Sequence, residues 1–392
     1  MSQAPSWDVY GFSERLTAAE KTVLDELRTT LTDKVYPYLN DAWHEDRLPE
    51  EIIEPLQSLR LMNPPALEEA GESVRGVFES MRTFELARCD TNVATFFNAQ
   101  AGLFRTVVKQ GGSAEQVAEL DPKIVNYELL GVFALTEPDH GSDVAGGLQT
   151  TASQNDDGTW TINGAKRWIG GAFQADVLCT FARDTADNQV KAFLVPREAE
   201  GVSLEKIERK ASLRIMQNAD IYYDNVQVSG DARLLNINSF RDVAKCLRLL
   251  RSDVSWIAAG AMAGAYEAAV RYTTNREQFG KPIAGFQLIQ EKLATMLGNV
   301  TASVALAMQL TEQQDAGVYK DENSALAKMF TASKLRETVA LAREVCGGNG
   351  ITLDTDVARF HADAEAVYSY EGTHEINALI VGRAITGQSA FV

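Results

Sequence analysis

Residues 369–373 read Ser-Tyr-Glu-Gly-Thr and set Glu371 between a tyrosine and a glycine. Taken alone, two readings stand. Gly372 follows a helical run, and glycine commonly ends helices, so this is a plain turn; or Glu371 is a carboxylate base held against a substrate. Three stretches upstream carry residues of similar ambiguity. Residues 133–143, FALTEPDHGSD, are rich in turn formers (Pro138, Gly141, Ser142), yet the same bend would present Thr136, Ser142 and backbone N–H groups to a planar ring and a phosphate. Residues 167–171, RWIGG, make Trp168 either core or a wall against an aromatic cofactor. Residues 276–290, REQFGKPIAGFQLIQ, read as a helix–helix corner turning at Phe279 and Gly280. The glycine cluster of CGGNG precedes Glu371, which lies 23 residues after Gly348.

Other chemistries find no support. The four histidines are scattered, with no HExxH or HxH, and Cys89, Cys179, Cys246 and Cys346 lie far apart. No metal site is expected, and the cysteines read as buried reduced thiols. No GxGxxG stands between a strand and a helix; the glycines at 347–350 follow a helix and fail the Rossmann context. A dinucleotide could bind only by another fold.

The elements that must position these residues come in three blocks. Residues 1–130 are mainly helical. Thr17 and Glu20 form a capping box, and Val23, Leu24, Leu27, Leu31 and Val35 follow at helical spacing. Residues 62–73 mark a loop by their prolines and glycine. Residues 131–239 switch to short β-prone runs, with Asn163-Gly164 as a hairpin signal, and predict an antiparallel β-domain. Residues 240–392 are helical again and predict a bundle, with Gly260 and Gly264 allowing a neighbouring helix close. The fold class is multidomain α+β.

The chain has 392 residues and a net charge of −17. No basic face is evident, so nucleic acid is not an expected partner, and phosphates must be held by local arginine, serine and backbone groups. No apolar run reads as long enough to cross a membrane. The first residues lack a signal or transit pattern, and the last four, SAFV, lack a prenylation or peroxisomal signal, so a cytoplasmic location is expected.

In their order and spacing, the motifs resemble the acyl-CoA dehydrogenase family over essentially the whole chain. YEGTHEINALIVGRAITG is most similar to glutaryl-CoA dehydrogenases; INGAKRWIG with LRIMQNADI is more similar to short-chain acyl-CoA oxidases. The resemblance implies an N-terminal helical domain, a middle β-domain and a C-terminal four-helix bundle. It implies FAD, an acyl-CoA substrate, a homotetramer and electron-transferring flavoprotein as acceptor, with dioxygen as the alternative. It makes Glu371 the base that removes the α-proton while the β-hydrogen passes as hydride to flavin N5, leaving the trans-2-enoyl-CoA. Burial beside substrate and flavin would raise the pKa of Glu371 toward that of the activated thioester. The thioester oxygen would be bound by the Glu371 N–H and a flavin ribityl hydroxyl. Phe133, Thr136, Gly141 and Ser142 would contact the isoalloxazine and pyrophosphate, with Trp168 over the ring and Gly170 beside it. Arg276 and Gln287 would reach the FAD of a neighbouring subunit. Gly347 and Gly348 would let backbone approach FAD, and Thr373 and Glu375 would touch it. Tyr370 and Gly372 would line the substrate site with Ser142. Arg251 and Arg383 match arginines near the CoA moiety; a surface ion pair is the alternative for each.

Two departures stand out. Glutaryl-CoA dehydrogenases carry an arginine for the distal carboxylate where an ungapped match puts Ala94, with Asn98 at a usual serine; Val93, Phe96 and Phe97 make that segment apolar. A buried, unpaired carboxylate costs several kcal/mol, which disfavours glutaryl-CoA and its decarboxylation. At Gly170 most dehydrogenases have threonine; glycine is expected to open space for dioxygen. The competing expectations are thus a dehydrogenase of short or medium apolar chains, an oxidase of the same fold, and a non-catalytic flavoprotein scaffold, against which the retained Glu371 argues.

Overall fold

The computed structural model describes residues 6–390. The extreme ends read above for targeting signals, residues 1–5 and 391–392, lie outside the described residues. The chain forms two compact units. One takes residues up to Thr95, Ala211–Ile215 and everything from Arg251 onward; the other takes Phe96–Lys210 and Met216–Leu250.

The first unit is helical. Helix α1 (Ala18–Thr30) starts at the capping box: Thr17 Oγ1 accepts from Glu20 N, and the Glu20 carboxylate accepts from Thr17 N. Val23, Leu24 and Leu27 are buried, and Leu31 and Val35 continue the buried stripe through a π-helical turn. The proline-rich stretch is not all loop: Pro65–Glu69 is a short helix, because proline fits a first turn whose N–H groups have no helical partner.

Helix α2 (Gly76–Cys89) meets helix α3 (Phe240–Asn275) where the glycines predicted it. A Cβ on Gly260 would lie 2.3 Å from Phe84 O, and one on Gly264 2.3 Å from Arg88 O. Ser80 Oγ and Trp256 Nε1 converge on Thr311 Oγ1 of helix α4 (Gln287–Asp315), at 2.9 and 3.0 Å. Helices α5 (Asp321–Val345), α6 (Val357–Ser369) and α7 (His374–Thr386) complete the bundle. On α6, Asp363 accepts from Leu213 N, Trp43 Nε1 and Asn92 Nδ2, which ties Ala211–Ile215 into this unit. By length and composition α4 is apolar enough to cross a membrane, contrary to the sequence expectation. Met296, Val300, Val304, Ala307 and Leu310 on it are buried within the protein.

The second unit is built on a seven-stranded sheet: β1 (Gly131–Ala134), β2 (Thr151–Gln154), β3 (Trp160–Gly170), β4 (Val177–Asp184), β5 (Val190–Pro196), β6 (Val202–Lys206) and β7 (Asn218–Val228). The order is β1-β4-β2-β3-β7-β6, with β5 also on β4. Most pairs are antiparallel, but β4 takes β1 and β2 in parallel. Ile162, Leu178, Phe193, Val195 and Ile221 lie in its core.

The Asn163-Gly164 hairpin is absent. Strand β3 runs straight through it, and the turn lies earlier, at Gly158 with φ +86°. Gly164 has φ +141° at a register shift against β7, and a Cβ there would fall 2.7 Å from the Thr150 Cα. The dipeptide serves a bulge and a close backbone approach, for which glycine is needed equally. All four cysteines are free; Cys179, Cys246 and Cys346 are buried and Cys89 is half-buried.

Candidate active site

In the first unit, Glu371 sits on the turn between α6 and α7, at φ +54°, followed by Gly372 at φ +90°. A left-handed non-glycine residue costs on the order of 1–3 kcal/mol, so the surroundings must hold the turn. They do so chiefly through Lys328 of α5. Its ammonium group, fully buried, donates to Tyr368 O and Gly372 O, each at 2.8 Å, on either side of Glu371. Asn377 Nδ2 also donates to Gly372 O and Thr373 O, and Thr373 Oγ1 caps α7 by accepting from Ile376 N.

The Glu371 side chain keeps some accessible surface while surrounded closely enough to be desolvated. Desolvation raises its pKa above the usual glutamate value, against the opposing pull of Arg251 and Lys328. Burial lowers Lys328 to about 8, with Glu371 and Glu375 acting the other way. Among the described residues none accepts from the Glu371 N–H, which leaves a donor beside the carboxylate. Tyr370 Oη lies 3.5 Å from Thr95 Oγ1.

The other expected residues of this unit divide. Arg251 acts on Glu371 electrostatically and lies 3.9 Å from Asp321. Arg383 is exposed in the last turn of α7, and Glu375 is exposed in its first. Ala94 is fully buried in the helix Thr91–Asn98. Arg276 and Gln287 are exposed at either end of a small hairpin, Glu277–Gln278 with Lys281–Pro282, whose tip residue Phe279 is 94% exposed. Gly347, at φ +58°, and Gly348 are exposed, with nothing within 4 Å of where a Cβ would stand.

The second unit presents the expected flavin residues. The bend after β1 carries Thr136, Gly141 and Ser142, with Phe133 half-buried on β1. Glu137 fixes this bend: its carboxylate accepts from Gln149 N, Thr150 N and the fully buried Lys166 Nζ. Burial lowers Lys166 to about 8, with Glu137 opposing that shift. Arg167 N donates to Thr136 O. Among the described residues none accepts from the N–H groups of Gly141 and Ser142. Trp168 stands at the register shift of β3 against β7, at φ +65°, with 52% of its surface exposed. The bulge turns its ring outward, and Arg167, paired to Asp220 at 2.5 Å, lies 5.0 Å from the ring centroid. A large exposed aromatic face, free backbone donors and side-chain-free glycines fit a planar cofactor with a pyrophosphate.

At Gly170 the expectation fails. A Cβ there would lie 2.4 Å from Met216 Cε, and Met216 is buried. The space a threonine side chain would need is filled by a thioether.

Lys328, Glu137, Lys166 and Met216 were not anticipated. Two of them left a trace. Lys328 falls in the same helical phase as Ser324, Ala325, Thr331 and Ala332, all buried. Lys166 takes a buried position in the alternation of β3. A lysine in a core phase signals a buried partner.

The acyl-CoA dehydrogenase N-terminal, middle and C-terminal domain models match residues 17–128, 132–226 and 240–386. An acyl-CoA dehydrogenase of Bacillus subtilis is 30% identical over 87% of this chain and 91% of its own. A glutaryl-CoA dehydrogenase from Mycobacterium smegmatis, solved in complex with FADH2, superposes with TM-score 0.88 and 31% identity, covering 97% of each chain. Butyryl-CoA dehydrogenase from Megasphaera elsdenii gives TM-score 0.88 and 28% identity over 94% of this chain and 98% of its own. The chain belongs to the acyl-CoA dehydrogenase family. It is an oxidoreductase whose cofactor is FAD.

Lys328→Met removes both lysine bonds to the turn; Gly372 O keeps Asn377 Nδ2, while Tyr368 O loses this donor at a cost of about 1–3 kcal/mol. The expected outcome is a lower melting temperature and a marked fall in the rate of flavin reduction by acyl-CoA, with FAD still bound. Stopped-flow reduction at the wild-type rate would show that Lys328 does not set the turn.

Proposed function

We propose that the protein oxidises the Cα–Cβ bond of a short- or medium-chain acyl-CoA to the trans-2-enoyl-CoA, with Glu371 as the base. The observation that carries this reading is the Glu371 turn itself: a desolvated carboxylate and an unengaged N–H on one residue, held in a left-handed conformation.

The α-proton of a thioester is too weakly acidic for a carboxylate in water. Desolvation strengthens Glu371 as a base. As the proton moves to its carboxylate, charge gathers on the thioester oxygen, and the Glu371 N–H would be the donor that stabilises it. FAD, when bound, accepts the β-hydrogen with its two electrons. Trp168 would cover the ring; the N–H groups of Gly141 and Ser142 would take the pyrophosphate. Arg251 would hold CoA phosphate groups and also restrain the pKa of Glu371. Glutaryl-CoA is disfavoured because Ala94 offers no cation.

The oxidase reading loses its main support at Gly170, since Met216 fills that space. We therefore assign electron-transferring flavoprotein, not dioxygen, as the acceptor. We also propose a homotetramer. Phe279 (94% exposed) and Leu288 (75%) are large apolar residues near Arg276 and Gln287 in the chain, and a second copy would cover them while bringing those polar residues to its FAD.

Glu371→Gln should keep FAD and the fold but slow flavin reduction by butyryl-CoA by about 10²-fold or more; near wild-type reduction would remove Glu371 as the base. The pH dependence has a definite sign. Only the ionised carboxylate accepts a proton, so the rate should be lost as pH falls through a value above the ordinary glutamate 4.5; a midpoint at or below 4.5 contradicts the reading. Met216→Ala should speed reoxidation of the reduced, product-bound enzyme by air, with peroxide formed, and leave flavin reduction alone. Fast peroxide formation in the wild type would instead restore the oxidase. Sedimentation of the holoprotein should give a tetramer, and an FAD-replete, active monomer would refute that assembly.

A further inference from the structure

Residues 211–215 form a strap that leaves the second unit after Lys210 and returns to it at Met216. Lys210 closes the neck: its Nζ donates to Met216 O at 2.5 Å and to Asn218 Oδ1 at 2.8 Å. The strap itself is tied within the first unit. Leu213 N donates to Asp363 Oδ1 at 2.6 Å, and Ile215 N to Asn92 Oδ1 at 3.1 Å. Arg214 Nε and Nη2 donate to Trp43 O and His44 O, at 2.8 and 2.9 Å. At the apex Leu213 has φ +48°. A left-handed leucine persists only where its surroundings impose it.

Asp363 is the centre of those surroundings. It is fully buried on α6. Its oxygens accept from Leu213 N, from Asn92 Nδ2 at 2.7 Å and from Trp43 Nε1 at 3.2 Å. Asn92 cannot turn its amide around, because its Oδ1 holds Ile215 N. Every partner is thus a donor, and a carboxylate, which only accepts, satisfies them all. A buried acid with uncharged partners is a costly way to pack a helix. Holding the strap gives it a task.

Met216 follows the strap directly. Its Cε occupies the place a side chain on Gly170 would need, and lies 3.9 Å from where a Cβ on Gly171 would stand. Methionine is flexible, so it blocks a space reliably only when its backbone is fixed. Lys210 fixes the carbonyl side of Met216, and the strap fixes the amide side.

We propose that Asp363 is a positioning residue: by holding the strap at Leu213 it keeps Met216 beside Gly170, and so keeps dioxygen from the reduced flavin. The proposal rests on the reading of Met216 as the group that fills this space, and deepens it. With the strap released, Leu213 relaxes from its left-handed conformation and Met216 turns away. Reoxidation by air then moves two electrons and two protons from the reduced flavin to dioxygen, with oxidised flavin and hydrogen peroxide as products.

The test uses the FAD-loaded protein. Asp363→Asn keeps the size of the side chain but sets an NH2 group against the donors. Loss of a hydrogen bond to a buried carboxylate shifts a local opening by about tenfold or more. Amide hydrogen exchange at Leu213 and Ile215 should accelerate by that factor. Air reoxidation of the reduced, product-bound enzyme should accelerate in parallel, with stoichiometric peroxide, while flavin reduction by butyryl-CoA stays unchanged. Asp363→Asn combined with Met216→Ala should reoxidise no faster than Met216→Ala alone, since both act through one side chain. Arg214→Met, which loosens the strap at Trp43 and His44, should move exchange and reoxidation in the same direction, and carries the test if Asp363→Asn does not fold. Unchanged exchange shows that Asp363 does not hold the strap and overturns the proposal. Faster exchange with unchanged reoxidation, or additive effects in the double variant, overturns the link to Met216. If Met216→Ala alone leaves reoxidation unchanged, the reading of Met216 fails and this proposal with it.

Discussion

The carbonyl oxygens of Tyr368 and Gly372 end on one ammonium group, the Lys328 Nζ. The turn that presents the proposed base depends on that contact. A left-handed glutamate is a conformation the backbone does not readily choose. The lysine supplies donors from a neighbouring helix. Its positive charge, buried and weakened, is itself steadied by the carboxylate it positions. Geometry and electrostatics are therefore coupled: the group that fixes the turn also limits how far burial raises Glu371. Asn377 and the Thr373 cap secure the other end of the turn, where α7 begins.

Much of the architecture could be read from the chain because local rules agree with the fold. The capping box at Thr17, the heptad-like stripe through Val35 and the close-approach glycines of α3 express physics that acts within a few residues or across one helix contact. The errors come where one local signal serves two geometries. Asn-Gly favours a tight hairpin turn, but the positive φ it permits also suits a bulge, and the Thr150 backbone decides between them. A glycine at position 170 reads as missing volume. Whether volume is missing depends on what folds back against it, and Met216 lies 46 residues away in sequence.

The site shows the same divide. Glu371, Trp168 and the Thr136–Ser142 bend stand in motifs with their own spacing. Lys328 stands outside those motifs; Glu137 and Lys166 stand within them, where nothing local marks them as a pair. Lys328 and Lys166 are charged residues in apolar phases, and their partners are set by contacts distant in sequence. Lys328 and Lys166 are legible afterwards from burial periodicity, but that periodicity cannot name the acceptor.

The Glu137–Lys166 pair has a consequence for the protein without its cofactor. All of these partners, Leu135 O, Gln149 N and Thr150 N, belong to the same unit of the chain. The bend that would meet the pyrophosphate is thus shaped by the chain alone. Little conformational entropy remains to be lost when FAD arrives, so more of the intrinsic contact energy appears as affinity. A newly synthesised subunit would act as a ready receptor, and loss of FAD would leave the receptor standing.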